Sequence, residues 1–449
     1  MKVLLVSTNT MMEPYPPYPI GLDYVMNAIS PPHQVKIADM NELKDGDALA
    51  GVLSRYQPDI IGLSIRNIDN IDEANTKTFI GEIRDLIGII REHSGGFIVL
   101  GGSGFTILPG EFMSRLDADF GIIGEGERLQ FLLQALERNE SVSGLPGIVT
   151  MDSPVVFPEP WPRSFHRSFF RDHSHASFYL KRGGMLNLQT KRGCPFKCIY
   201  CTYPHIEGTR FRFAPPGEIA ATARMLQDAG AGYIYITDST FNGSAEQSLE
   251  VAAAFKKSGI SVPWGGFFTP LSPSPDYYCI LADAGLMHVE FGTEALSNSM
   301  LASYRKPFRL EDVFTSHRLA VAAGLHVAHY LMLGGPGEDE GTLKETLANA
   351  DELEKAVFFV FGGVRIYPHT ALYDLALKER QIERSRNLLE PAFYWSPALH
   401  RETVMDIVKE HAGSRANWVF GSGSQQTLKN LARLHARGRV GPLWEQVIW

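Results

Sequence analysis

Residues 191–204 read KRGCPFKCIYCTYP and gather Cys194, Cys198 and Cys201 within eight positions of a chain that has four cysteines in all. Spacings of four and then three would put the three thiols on one helical face, as ordinary core residues. Gly193 and Pro195 speak against that, since both disfavour a helix interior. On a loop nothing periodic buries the thiols, and metal binding is the remaining use. A structural zinc site wants four closed ligands, and the nearest further donor is His205. An iron–sulfur cluster suits three thiolates on a loop better. A [4Fe-4S] cluster normally takes four cysteines, so three leave one iron open to a substrate or cofactor.

Immediately upstream, MLNLQT (185–190) reads as a strand whose carboxyl end leads into the cysteines. Downstream, YIYIT (233–237), VPWGGFF (262–268), HVEFG (288–292), LHVAHYLM (325–332) and FFVFGGVRI (358–366) read as further strands. Helical segments separate them, at 216–229, 244–258, 310–323 and 338–356. Six βα units over about 200 residues predict a partial (β/α)6 barrel, residues 185–395, with its site at the carboxyl ends of the strands. The tail, 396–449, reads as helical and carries Trp418, Phe420, Trp444 and Trp449. Cys279, in DYYCILADAGL, falls in a helical pattern and reads as core.

The amino-terminal part, 1–140, alternates short runs rich in Val, Ile and Leu (KVLLVST, QVKIADM, DIIGLSI, FIVLGG, DFGIIGEG) with helix-length segments such as 71–93. That pattern predicts a Rossmann-like α/β domain, a parallel sheet covered on both faces. Small residues follow the strands: Ser64, then Gly101, Gly102 and Gly104, then Gly124 and Gly126. Ligands of open α/β sheets lie beyond such strand ends. Between the two domains, 141–184 is rich in Pro, aromatics and His without a period and reads as a linker. Its His166, His173 and His175 read as boundary contacts in preference to a metal set.

With 44% apolar and 20% charged residues among 449, the chain has ample core material. A net charge of −8 and the lack of a basic run argue against nucleic acid or an anionic membrane as partner. No apolar stretch reaches the roughly 18 residues of a spanning helix, so no membrane-spanning segment is expected. The amino terminus lacks a signal-peptide pattern, and the cysteines do not form a secreted disulfide framework. A reducing cytoplasm is the expected location.

CPFKCIYC resembles the C-x3-C-x-aromatic-C signature of radical S-adenosylmethionine (SAM) enzymes. The resemblance extends through YITDSTFN, HVEFGTEALSNSML, LMLGGPGEDEGTLKET and VRIYPHTALYDLA, roughly 185–385. It implies that Cys194, Cys198 and Cys201 hold a [4Fe-4S] cluster whose open iron chelates SAM, and that an electron from the cluster releases a 5′-deoxyadenosyl radical. Carried over position by position, it places Tyr200 against the cluster and the adenine side, and Thr237 and Asp238 at SAM. It gives Glu294 the SAM ribose or amino acid moiety, Gly334 and Gly335 close backbone approach, and Ile366 or Tyr367 the adenine flank.

EPYPPYPIGLDYVMNAI and GGSGFTILPGEFMSRLDADFGIIGEGE resemble the cobalamin-binding domains found before such barrels, in a group often labelled lipid-biosynthesis B12-binding radical SAM proteins. The resemblance implies cobalamin near Gly101, Gly102, Gly104, Gly124 and Glu125, with Ser64, Arg66 and Asn67 under the corrin. The D-x-H-x-x-G sequence that supplies a histidine to cobalt elsewhere is absent, as is a G-x-G-x-x-G after the first strand. The implied activity is a cobalamin-dependent radical SAM methyltransferase acting on a small molecule or lipid, reduced by a donor such as flavodoxin or ferredoxin. The alternative is a radical SAM dehydratase, epimerase or rearrangement enzyme whose first domain is cobalamin-free or carries no methyl group.

Overall fold

The runs 3–6, 60–63 and 98–100 are almost wholly inaccessible, as parallel strands covered on both faces must be. The computed structural model describes all residues except 13–14, 162–164, 168, 170–173, 272, 422 and 448–449. It forms these runs into a sheet of β1 (Lys2–Ser7), β2 (Gln34–Asp39), β3 (Ile60–Ser64), β4 (Phe97–Gly101), β5 (Phe120–Ile122) and β6 (Ile148–Val149), ordered β2-β1-β3-β4-β5-β6. All pairs are parallel except β5–β6. Leu4, Ile61 and Ile98 pack with residues of the helices Gly46–Tyr56 and Ile80–His93. Val3, Leu5 and Val99 pack with the helices Ile20–Ala28 and Leu129–Glu137. Alternate residues therefore feed two cores.

The helix expected over 71–93 begins only at Ile80. Before it, short polar side chains capture the backbone: Asp69 accepts from the Ile71 amide (2.8 Å), Asp72 from that of Ala74 (3.1 Å) and Asn70 from that of Lys77 (2.9 Å). Such local bonds compete with a helix.

The second sheet is all parallel and strictly sequential: β7 (Met185–Leu188), β8 (Tyr233–Ile236), β9 (Trp264–Phe268), β10 (Leu286–Glu294), β11 (His326–Leu333), β12 (Ala356–Gly362) and β13 (Trp418–Phe420). The seventh strand corrects the reading of the tail as helical. WVF is too short to show a period, and it pairs with Phe358–Val360 while Trp418 packs on Phe358 at 4.8 Å between ring centres. The rest of the tail forms the helices Arg401–Ala412 and Gln425–Ala436 and a short turn from Trp444. Trp444 packs with Val419, Val357 and Ala328; Trp449 lies outside the described residues. Cys279 is exposed, contrary to its reading as core. Tyr277, Tyr278 and Leu281 take the buried face of that helix instead.

The segment 141–184 contributes β6 to the first sheet and a helix, Ser174–Leu180. His166 faces Glu218 at 3.2 Å and His175 bonds Tyr18 at 3.1 Å, while His173 lies outside the described residues. Buried ion pairs tie the two sheets together: Asp69–Arg365 (2.8 Å), Glu127–Arg192 (2.7 Å) and Glu125–Arg212 (2.6 Å). The loop before the helix Ile80–His93 reaches across to the barrel, where Glu73 accepts from the Trp395 indole (2.9 Å) and pairs with Arg401 (3.1 Å). Among the described residues no helix is long and apolar enough to cross a membrane.

Candidate functional site at the domain interface

The cysteine loop starts from a rigid base. Asp238, just past β8, accepts from the Thr190 amide (2.7 Å), the Thr190 hydroxyl (2.5 Å) and the Lys191 ammonium (3.0 Å). Both side chains of the Lys191–Asp238 pair are 0% exposed. Gly193 follows at φ 84°, and a Cβ there would lie 2.1 Å from the Arg210 carbonyl, so only glycine lets the chain turn here. Its amide donates to Glu207 (3.0 Å), and the Cys194 amide donates to the Gly208 carbonyl (3.0 Å). The sequence thus spends Thr190, Lys191 and Gly193 on aiming the three thiols.

All three cysteines are free. Burial raises each thiol pKa, that of Cys201 to about 12, and the other two cysteines add to it. A bound cation would draw off these protons and leave thiolate ligands. Among the described residues no three His, Cys, Asp or Glu side chains gather closely enough for a single metal ion. The donor set is three sulfurs without a fourth ligand for zinc, and it suits an iron–sulfur cluster.

Beside the loop lies a buried trio that sequence reading saw only in part. Glu294, at φ 65°, accepts from the Tyr200 hydroxyl (2.5 Å) and the Lys306 ammonium (2.9 Å). Burial works against the charge of Lys306, yet Glu294 first, then Cys198, hold its pKa above the usual lysine value. Lys306 stands in SYRKPF, where nothing in the spacing marks it.

A cavity of about 700 Å³ opens between the domains. Of the expected residues it is lined by Ser64, Arg66, Asn67, Gly101, Gly102, Gly104, Gly124 and Glu125 from the first domain, and by Thr237 and Tyr367 from the second. Thr202 and Tyr203, directly after Cys201, also reach it. The remaining expected residues do not line it. Asp238 is consumed by Lys191, and Ile366 is 0% exposed in a separate core. The Gly334 and Gly335 amides both donate to Glu338, and the space a Cβ would take is held by Trp395 and Tyr304. Close approach there is to aromatic side chains. Glu125, though on the rim, is paired with Arg212.

The rim fits a broad flat ligand. Gly124 lies at φ 78° and a Cβ on it would meet nothing within 4 Å, so the shelf over β5 is kept low. Gly102 and Gly104 serve differently: a Cβ on either would press on the Ile65 carbonyl (2.5 and 3.1 Å), so these glycines let the loop of Arg66 fold over them. The Arg66 side chain is exposed and has no carboxylate partner among the described residues.

His205 and His369 stack at 4.3 Å behind the cysteine loop. Burial, with His369 adding, lowers the His205 pKa to about 4. The unfolded chain binds this proton more readily than the folded one. Its stabilising share is therefore complete above about pH 6.5 and declines as pH falls, levelling out near 4. The thermal midpoint should fall from about pH 7 to about pH 5, and His205→Gln should flatten that slope. An unaltered slope in the variant would assign the acid sensitivity to other groups, such as His317, lowered to about 4 by burial.

A cysteine loop on a partial barrel, facing a glycine-rimmed parallel sheet, defines an enzyme that joins radical SAM chemistry to a cobalamin-binding domain. Residues 188–350 match the Radical SAM superfamily and residues 14–130 the B12 binding domain. The chain is 24% identical over 371 residues to an uncharacterised methyltransferase of Pyrococcus horikoshii, covering 80% of this chain and 78% of that protein. It is 23% identical over 441 residues to tryptophan 2-C-methyltransferase of Streptomyces laurentii, covering 82% and 73%. Its fold is shared with the radical S-adenosylmethionine methyltransferase TsrM of Kitasatospora setae, solved with cobalamin and a [4Fe-4S] cluster bound. The TM-score is 0.89 at 20% identity over 100% of this chain and 97% of that one. The chain belongs to the cobalamin-binding radical SAM family, with a [4Fe-4S] cluster, SAM and cobalamin as its cofactors.

Proposed function

We propose that the protein is a cobalamin-dependent methyltransferase that uses a 5′-deoxyadenosyl radical to methylate an unactivated carbon of a small molecule or lipid. One observation carries the reading: a single cavity touches both the glycine rim of the first sheet and the residues that follow Cys201. The methyltransferases among its relatives support the same chemistry. Cys194, Cys198 and Cys201 would hold a cluster that supplies the reducing electron, and the rim would hold cobalamin, which supplies a methyl carrier. Reduction calls for a donor of the flavodoxin or ferredoxin type, and the free thiols for a reducing, cytoplasmic setting.

Within this reading Thr237 and Tyr367 reach SAM from the cavity wall, and Tyr200 is fixed toward the cluster by Glu294 and Lys306. Ser64, Arg66 and Asn67, which line the cavity on the glycine-rim side, would help hold cobalamin there. A guanidinium keeps its proton and has no lone pair, so Arg66 would contact cobalamin without supplying a ligand to its metal. Reduced, cobalamin-loaded protein turning over its substrate should convert methyl-labelled SAM to both S-adenosylhomocysteine and 5′-deoxyadenosine, with the label of the first SAM appearing on the methylated product and that of the second on methionine. The bound Co(II) state should show no axial nitrogen hyperfine splitting in its electron paramagnetic resonance spectrum. Splitting from an imidazole or benzimidazole would displace Arg66 from that role, and 5′-deoxyadenosine without S-adenosylhomocysteine would favour rearrangement over methyl transfer.

A further inference from the structure

The cavity has a second wall, distinct from the glycine rim, built by β11, β12, β13 and the tail. Tyr330, Phe359, Phe361, Val419, Leu431 and Trp444 line it. The Tyr330 ring stacks on Phe359 (4.9 Å between centroids, 18°) and lies nearly parallel to Phe361 (11°), so the three rings pack into one rigid aromatic row. The polar atoms of this wall are turned away from the cavity. Glu290, 1% exposed and behind the wall, accepts from the Tyr330 hydroxyl (2.8 Å), the Trp444 indole N–H (3.1 Å) and the Tyr235 hydroxyl (3.0 Å). Burial raises the Glu290 carboxyl pKa, and these three donors pull it back. The aromatic side chains therefore offer the cavity hydrocarbon, while the hydrogen-bonding atoms of Tyr330 and Trp444 are spent on Glu290.

Charge is also cancelled around the cavity. Asp69 pairs with Arg365, Glu125 with Arg212, and Glu127 with Arg192. Glu207 accepts from the Gly193 amide and the Gln189 side chain. Among the described residues lining the cavity, Arg66 and Glu207 have no salt-bridge partner; Arg66 belongs to the glycine-rim side and Glu207 to the base of the cysteine loop.

Ile71 lines the cavity, is 50% exposed and sits at φ 51°, a backbone region that β-branched residues avoid. Its amide donates to Asp69 (2.8 Å), which Arg365 grips from the barrel (2.8 Å). Strain of this kind persists where surrounding structure over-determines it, and it clusters at ligand-contacting positions. Here it holds an apolar side chain out into the cavity.

We infer that the second wall binds an uncharged, predominantly apolar substrate against this aromatic row, with Ile71 as a contact that helps select it. The inference rests on the methyltransferase reading of the same cavity. An amino acid zwitterion or a nucleotide-linked anion would find no counter-charge on this wall and would forfeit its hydration there. Glu290 is a positioning residue, and its effect is to keep the wall non-polar.

The probe is 1,6-diphenylhexatriene, an uncharged rod that fluoresces only when it leaves water, titrated into the cobalamin- and cluster-loaded protein. One saturable site is expected, which millimolar L-tryptophan and cytidine monophosphate leave undisturbed. Ile71→Asn suits the left-handed backbone, so it should raise the thermal midpoint. It should also weaken the probe about tenfold, as loss of a buried apolar contact would. Phe359→Arg should abolish binding. Displacement by tryptophan or the nucleotide would overturn the inference, as would unchanged probe affinity in Ile71→Asn. Conversion of SAM to S-adenosylhomocysteine, measured on the same preparation, reports the methyltransferase reading separately: its failure would remove that reading and leave the probe result standing.

Discussion

Replacing Cys194, Cys198 or Cys201 with alanine should strip the anaerobically reconstituted protein of the roughly four irons of a [4Fe-4S] cluster, while Cys279→Ala should keep them. The first three thiols share one loop and influence one another's protonation. Cys279 stands exposed on a separate helix. With three protein ligands there is no spare thiolate to take over a lost corner. The loss should therefore be complete and should carry SAM cleavage with it. Iron analysis with the visible absorption of the reconstituted protein is the measurement. Loss of iron on changing Cys279 alone would overturn the ligand set.

The next largest effect is expected at Lys191 and Asp238, two side chains at 0% exposure whose pairing sets the base of the cysteine loop. The Lys191 ammonium also donates to the Phe241 carbonyl (2.7 Å) and to Gln247 (3.3 Å). Asp238→Ala strands that ammonium in the core, and removing one partner of a buried pair costs about 3–5 kcal/mol. Denaturant titration should register that loss, and cluster retention should fall because Thr190 loses both of its bonds to Asp238. Lys191→Met with Asp238→Leu removes the stranded charge and should recover much of the stability, since apolar replacement of a buried pair is often near neutral. The double variant should still hold iron poorly, because the loop base remains untied. Near-native stability in Asp238→Ala would mean that the pair contributes little.

The alternation of apolar runs with helical stretches was enough to read two α/β sheets, and six of the seven barrel strands lie where the sequence predicts them. A run such as YIYIT declares itself because burial on both faces demands continuous apolar residues. WVF at 418–420 does not, because three residues carry no period and its identity as a strand depends on a partner, β12, far away in sequence. The cysteine loop was legible because glycine, proline and spacing act locally. Asp238 and Glu294 were visible as strand-end acids, but their partners, Lys191 and Lys306, are fixed only by folding. Gly334 and Gly335 show the same limit: the sequence reveals that space is needed, and only packing reveals that Trp395 and Tyr304 fill it. Glu290, one residue among many in β10, carries no sequence signal that its carboxylate gathers two tyrosines and a tryptophan.

The short pairing of β13 with β12 also bears on how the chain emerges from the ribosome. Until Trp418–Phe420 docks, β12 is the last strand of an open parallel sheet, with unpaired amides at Phe358–Val360 beside large aromatic side chains. An exposed, apolar edge of that kind is a template for pairing with another chain. Because its cover comes from the tail, the barrel cannot seal this edge while it is being made. The nascent chain carries this sticky margin from the emergence of β12 until β13 follows it, which makes the tail a guard against self-association as much as a wall of the cavity.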